Sequence, residues 1–344
     1  MRILGRAAWL LVATTSGLAG ATWAEEARPD LPDSVAFRLP DDAGVRHHVA
    51  KSAGWLVGHV ATISRPVEDD RLRVIAWKDP TLAPEDPNRL AGYLITDALW
   101  ASRALRPFDP DAAGAMERSL HALGWPGNGL HEVLFHPVDR MLHRPDDADF
   151  VHGRSLGVFA IDGGRSVDVR VLGQRWDPDF EAGHPRLFAE HAAYQALHEF
   201  WKGDEAAARR RILGIVRDDR ATDRDDRIFW DGEAGILVDQ AGREDWHRFQ
   251  RGERPTGRHA SFKLGVLLYA IRLTGVEAEV GPPLEGMKRR LWSARREDGG
   301  VAHFVEVRRG GQGEPARSGA TGEATAIAIL SETIQPAVSR RPPR

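Results

Sequence analysis

The sequence of 344 residues contains no cysteine. That excludes disulfides, thiolate chemistry and a lipid-modified cysteine at an export cleavage site. Long hydrophobic runs are missing as well. The apolar stretch from Ala7 to Ala21 is broken by Thr, Ser and Gly, and it falls short of the ~20 apolar residues that cross a hydrocarbon core of ~30 Å. No later window is long and apolar enough, so no integral membrane segment is expected once the leader is removed. An excess of positive charge is also missing, since 47 basic residues stand against 50 acidic ones. That balance argues against a polyanionic partner such as nucleic acid. Tyrosine is scarce, 3 residues beside 11 tryptophans, and tryptophan is the odd feature of the composition.

The first 24 residues read as an export signal. Arg2 and Arg6 form a basic start, the apolar run follows, and Ala19-Gly20-Ala21 or Thr22-Trp23-Ala24 offers a small-residue cleavage site. Removing 1–24 takes away two arginines, leaving 45 basic against 50 acidic residues. The expected product is exported to the periplasm or beyond. Residues 25–43 are rich in Pro and Asp and read as an extended lead-in. A single domain is expected over 44–335, and 336–344 reads as a disordered tail.

Helical spacing dominates the domain. Val49, Leu56, Val60 and Ile63 predict a first helix over Val45–Ile63. Arg89–Leu105 and Asp111–Leu123 read as a helical hairpin in which Asp109-Pro110 starts the second member. Pro185–Trp201 with Asp204–Val216, hinged at Lys202-Gly203, predicts a second hairpin. Ser261–Leu273 with Pro283–Arg295 predicts a third, and Glu323–Ile334 a last apolar helix. Between the first two pairs, Leu156–Ile161 and Ser166–Leu172 flank Asp162-Gly163-Gly164. Val167, Val169 and Val171 alternate there with Asp168 and Arg170, the pattern of a β-hairpin with one wet face. Ile228–Val238 reads as a short strand.

Several motifs invite chemistry. His131–His136 (HEVLFH) places its second His at i+5, so the two imidazoles cannot share the helix face that a zinc-protease motif needs. Glu132 remains as a surface or pocket-lining acid. On helix 185–201, His191, Gln195 and His198 form a polar stripe, either a cavity wall or a solvated face. Asp223-Arg224-Asp225-Asp226 matches the acid motif of protonation-initiated terpene cyclases. It sits in a hydrophilic loop where carboxylates stay ionised, which removes the proton that chemistry needs. No His/Asp/Glu cluster has ligand spacing, so neither a metal nor a cofactor is expected.

Arg296-Glu297-Asp298-Gly299-Gly300-Val301 precedes Thr321-Gly322-Glu323 and the Ala/Leu-rich run 324–330. A D-G-G turn followed by an apolar helix with an acid in its first turn resembles the α/α-toroid proteins. That group includes prenyltransferases, terpenoid cyclases, and six-hairpin glycan hydrolases and lyases. The resemblance covers roughly residues 260–332, and Val301 stands where cyclase repeats favour an aromatic. It implies a mainly α, toroid-like array of antiparallel helical hairpins, here with an inserted β-hairpin, whose inner-helix N-termini face a cavity mouth. In that position Glu323 either lines the cavity or merely favours the helix dipole.

Tryptophans beside carboxylates complete the expectation: Trp77 near Asp79, Trp100 after Asp97, Trp230 before Asp231 and Glu233. A sugar ring needs an aromatic face and hydrogen-bond acceptors, and a carboxylate pair cleaves glycosidic bonds. The expected function is therefore an exported carbohydrate-active enzyme, a glycan hydrolase or lyase. Its candidate acids and bases are Asp97, Glu132, Asp231, Glu233 and Glu323. His191, His198, Trp125 and Trp230 are its candidate substrate contacts. A non-catalytic extracytoplasmic binding or scaffold protein of the same fold is the alternative, and a terpenoid-cyclase-like enzyme comes last.

Overall fold

A computed structural model describes residues 35–64, 71–75, 93–122, 154–161, 165–171, 189–216, 229–231, 236–238, 258–306, 316–317 and 319–337. The described part is mainly helical. The first helix, α1 (Ala43–Gly58), starts where Asp42 accepts a hydrogen bond from the Val45 N–H at 2.8 Å. It ends earlier than its apolar spacing predicts. At His59 the ring stacks on Trp55 with centroids 3.8 Å apart, and Val60–Ser64 leaves as strand β1. Val60, Thr62 and Ile63 are β-branched and suit a pleated surface better than a helix. Strand β2 (Arg71–Ile75), which no periodicity announced, pairs antiparallel with β1.

The inserted hairpin forms as β3 (Arg154–Ile161) and β4 (Arg165–Val171), and the four strands make one sheet in the order β2-β1-β3-β4. Phe159 is fully buried while its neighbour Val158 is 55% exposed, which is the one-wet-face alternation. The sheet packs through β2 and β4 against α2 (Tyr93–Leu105), and through β2 against α3 (Pro110–Ala122).

Each helical pair is started and stapled by its own residues. Asp109 accepts from the Ala112 N–H at 2.9 Å and opens α3, and Glu117 of α3 ties back to Arg103 and Arg106. In the next pair, α4 (Ala189–Trp201) turns at Gly203 (φ +87°) into α5 (Glu205–Val216). There Asp204 accepts from the Ala207 N–H, and Arg211 pairs with Glu199. Two short antiparallel strands follow, β5 (Phe229–Asp231) and β6 (Ile236–Val238), in place of one strand-like segment. The third pair runs from β7 (Arg258–Ala260) into α6 (Ser261–Leu273), through the single turn α7 (Glu277–Val280), to α8 (Pro283–Ser293). The Gly-rich stretch contains β8 (Phe304–Glu306) and β9 (Ala316–Arg317), which extend β7 into a three-stranded sheet.

The last helix, α9 (Gly322–Thr333), is buried along nearly its whole length, as its all-round apolar sequence requires. It packs on α1, α2 and α6, and α6 packs in turn on α4. The α6–α9 approach is close because Gly265 offers no Cβ; one placed there would lie 2.7 Å from Ile327 Cγ2. Farther along, the Arg272 guanidinium reaches the Ser331 and Glu332 carbonyls. The two helices therefore run parallel and nearly in step.

The D-G-G turn holds α1 against this core. Gly299 has φ +101°, and a Cβ there would fall 2.5 Å from the Lys51 carbonyl oxygen. The Ser52 hydroxyl donates to the Gly299 carbonyl at 2.7 Å, and the Asp298 carboxylate accepts from the Gly300 N–H at 3.0 Å. Part of the lead-in belongs to the same assembly: Arg38 N–H donates to the Thr333 carbonyl and Gln335 N–H to that of Ala36. Among the described residues, no helix is long and apolar enough to cross a membrane.

Candidate functional site

Charged groups on the first turns of α4, α6 and α9 act on one another. Glu190 stands on the first turn of α4, Lys263 on that of α6 and Glu323 on that of α9. The Lys263 ammonium lies 3.3 Å from Glu190 Oε2, with the two side chains only 14% and 10% exposed. Glu323 feels the Glu190 charge, and Tyr194, one turn below Glu190, feels both carboxylates.

Burial first, and the Glu190 charge second, push the Glu323 carboxyl up to about 8. Among the described residues it has no cation and no hydrogen-bond donor to hold it ionised. Capping does not explain its position, since the Thr321 hydroxyl already accepts from the Ala324 N–H at 3.2 Å. Solvent reaches part of the residue while protein surrounds the carboxyl. That enclosure governs its proton affinity. Burial, and then the charges of Glu323 and Glu190, likewise raise the Tyr194 hydroxyl well above its usual range. The result is a carboxyl biased toward its protonated form at neutral pH, which feels a second carboxylate that faces an ammonium. Such a split between two acids is what acid/base chemistry uses.

Of the residues singled out from sequence, Glu323 is on this site. His198 is on α4 and only 4% exposed, and Gln195 beside it is 5% exposed, so this part of the stripe is interior and not a solvated face. Glu190, Tyr194 and His198 recur every fourth residue and share one face of α4. Trp230 is a correction. It is 3% exposed in β5 and packed toward Gly286 of α8, so it fills the core and offers no stacking face. Trp55 and Trp100 are buried too. Asp97, His191 and Asp231 stand on α2, α4 and β5, with side chains outside the described residues. Glu132, Glu233, Trp125 and the Asp223–Asp226 tetrad lie wholly outside them. Lys263 and the pairing role of Glu190 were missed. An acid in the first turn of an apolar helix, the signal that drew attention to Glu323, is equally present at Glu190.

Other clusters are structural. Glu332 is held by Arg272 at 3.3 Å and by the Trp292 indole N–H at 3.0 Å. An open cleft of about 460 Å³ at the D-G-G turn is lined by Arg296, Glu297, Asp298 and Arg317. Arg317 there donates to the Ser293 carbonyl, and Arg296 pairs with Asp298. Among the described residues, no group of three or more His, Asp or Glu side chains is placed to hold a metal ion. No family model, curated protein or solved structure matches the chain.

Proposed function

We propose that this chain is an exported glycan-cleaving enzyme of toroid-like fold, with Glu323 as general acid and Glu190 as the opposing carboxylate. The observation that carries the reading is the pair itself. Two carboxyls on the first turns of different helices feel one another, one facing an ammonium and the other raised by burial. Glu323, protonated, donates to the glycosidic oxygen as the C–O bond breaks. Glu190, kept ionised by Lys263, either activates a water or attacks the anomeric carbon, according to the separation of the two groups. In an elimination the same carboxylate removes the proton next to a uronate carboxyl while Glu323 protonates the leaving oxygen. The ring-like placement is supported by α9, the last helix, packing on α2 of the first hairpin and on α6 of the third, which packs in turn on α4 of the second.

The test is a panel of polysaccharides incubated with the protein and assayed for new reducing ends and for unsaturated sugars. Glu323→Gln and Glu190→Gln serve as controls. Activity on one polymer, lowered at least a hundredfold in both variants, is expected, since acid/base groups contribute about 10²–10⁴-fold. Activity that survives both substitutions would remove the two carboxyls from the mechanism.

A further inference from the structure

A second cluster of titratable groups lies away from the two carboxyls, where α1 meets the end of α8. His48, in the second turn of α1, stacks on Trp292 of α8 with ring centroids 5.4 Å apart and planes 20° from parallel. Trp292 in turn donates its indole N–H to Glu332 of α9. Arg295 stands three residues after Trp292, just beyond the end of α8. Its Nε and Nη1, and the Nδ1 of His48, are buried with no hydrogen-bond partner. Of residues 43–48, only Val45 and His48 are not exposed, so the opening of α1 rests on these two side chains. Beyond them Val49, Ser52 and Leu56 are fully buried and hold the rest of the helix on the core.

This arrangement accepts a neutral imidazole and opposes a charged one. An imidazolium carries N–H on both nitrogens. At Nδ1 that proton would be a buried donor without an acceptor, beside a guanidinium already in that state. The acids within reach are committed, Glu332 to Arg272 and Trp292, and Asp42 to the Val45 N–H. On α2, which also packs on α1, the described charged side chain is Arg103, and it pairs with Glu117. Burial first, then Arg295 and His47, hold the His48 ring below its ordinary 6.5, against the pull of Asp42 and Glu332.

We propose that His48 is an acid-sensitive latch, whose protonation frees the opening turns of α1 from α8 while the helix beyond Val49 stays docked. Above pH 6.5 the ring is neutral whether stacked or released, and the latch is closed without cost. As the pH falls below 6.5, the released ring takes a proton that the stacked ring resists, so release is increasingly favoured. Release uncovers the Trp292 face and the Arg295 guanidinium. The latch is independent of any reaction at Glu323 and Glu190.

The test is amide hydrogen exchange of the full chain near pH 7.5 and near pH 5, corrected for the intrinsic pH dependence of exchange. Amides 46–52 donate to carbonyls 42–48, and they are expected to lose protection at the lower pH while α6 and α9 keep theirs. His48→Gln keeps a polar side chain that takes no proton, and should show equal protection at both. In ¹³C-histidine spectra the resonance missing from that variant identifies His48, whose midpoint should lie below 6.5. Arg295→Gln leaves the stack in place; it should raise that midpoint and lessen the loss of protection. It decides the question by exchange alone if His48→Gln does not fold. A pH response that persists in His48→Gln, or is unchanged in Arg295→Gln, overturns the latch. So does a His48 midpoint at or above 6.5, which would mean that the cation-attracting face of Trp292 prevails.

Discussion

Glu323→Gln should make the protein more stable at alkaline pH, and the size of the gain follows from the enclosure of the carboxyl. In the unfolded chain this group loses its proton near 4.5; in the folded protein it holds it up to about 8. Folded and unfolded states therefore carry the same proton below pH 4.5, and the enclosure of this carboxyl costs nothing there. Between the two values only the unfolded chain gains by ionising, so stability falls as pH rises. Above pH 8 the loss levels off. At about 1.4 kcal/mol per unit the full interval is worth on the order of 4–5 kcal/mol. Partial solvent access lowers that to about 3–4. Glutamine resembles the protonated acid in shape and charge, so the two proteins should differ by less than about 1 kcal/mol at pH 5, where both sites are neutral. Urea unfolding of both proteins, at intervals from pH 5 to 9, measures the difference directly. The comparison cancels every other titrating group the two share. Parallel stability curves would show that Glu323 ionises normally, and the assignment of it as the acid would go with them.

Two glycines carry predictions of opposite origin. Gly265→Val forces a side chain into the α6–α9 seam, where even a Cβ lies 2.7 Å from Ile327 Cγ2. It should lower unfolding free energy by about 1–3 kcal/mol, and Ile327→Ala in the same chain should recover part of that, as read by denaturant midpoints. Gly299→Ala meets both a left-handed backbone and the Lys51 carbonyl, whereas Gly275→Ala has a left-handed backbone (φ +70°) and open space. The first should cost about 2 kcal/mol or more and the second about 1. Equal losses in thermal melts would deny the D-G-G turn its docking role under α1.

The helices were legible because local chemistry writes their ends. Asp109-Pro110 and Lys202-Gly203-Asp204 mark starts and turns by side-chain oxygens and a left-handed glycine, and the structure places helix ends within a residue or so of them. Failure came where a local signal competed with pairing. The apolar spacing through Val60 and Ile63 continues the pattern of α1, but β-branched residues opposite Arg71–Ile75 settle on a sheet that only the tertiary structure supplies. The tryptophans misled for a related reason. A Trp next to an Asp in sequence suggests a sugar platform, yet sequence neighbours on strands and helices point to different sides, and Trp230 and Trp100 went inward. Half of the site was visible. Glu323 could be singled out because an acid opening an apolar helix is conspicuous, and Glu190 has the same setting. Its tie to Lys263 joins two different hairpins, and nothing within either segment encodes it.

In the proposed mechanism that tie also decides which carboxyl is the acid, and removing it exposes the logic. Two carboxylates in one enclosed site cannot both stay ionised without a cation. At 3.3 Å, with an effective dielectric near 20, the Lys263–Glu190 attraction is worth about 5 kcal/mol before desolvation is counted. Lys263→Met preserves the length of the side chain and deletes the charge. Glu190 must then either remain ionised and alone or take up a proton. Breaking such a pair from one side costs about 3–5 kcal/mol at neutral pH. The loss should shrink as the pH falls toward 5, because protonation relieves Glu190. Carboxyl ¹³C shifts of glutamate-labelled protein follow the two protons separately. In the wild type one buried glutamate should titrate near 8, that being Glu323. In the variant a second glutamate should move upward, absent again from Lys263→Met/Glu190→Gln. A variant whose buried glutamates titrate as in the wild type would mean that Glu190 owes its charge to something other than Lys263. The division of labour between the two acids would then need a different cause.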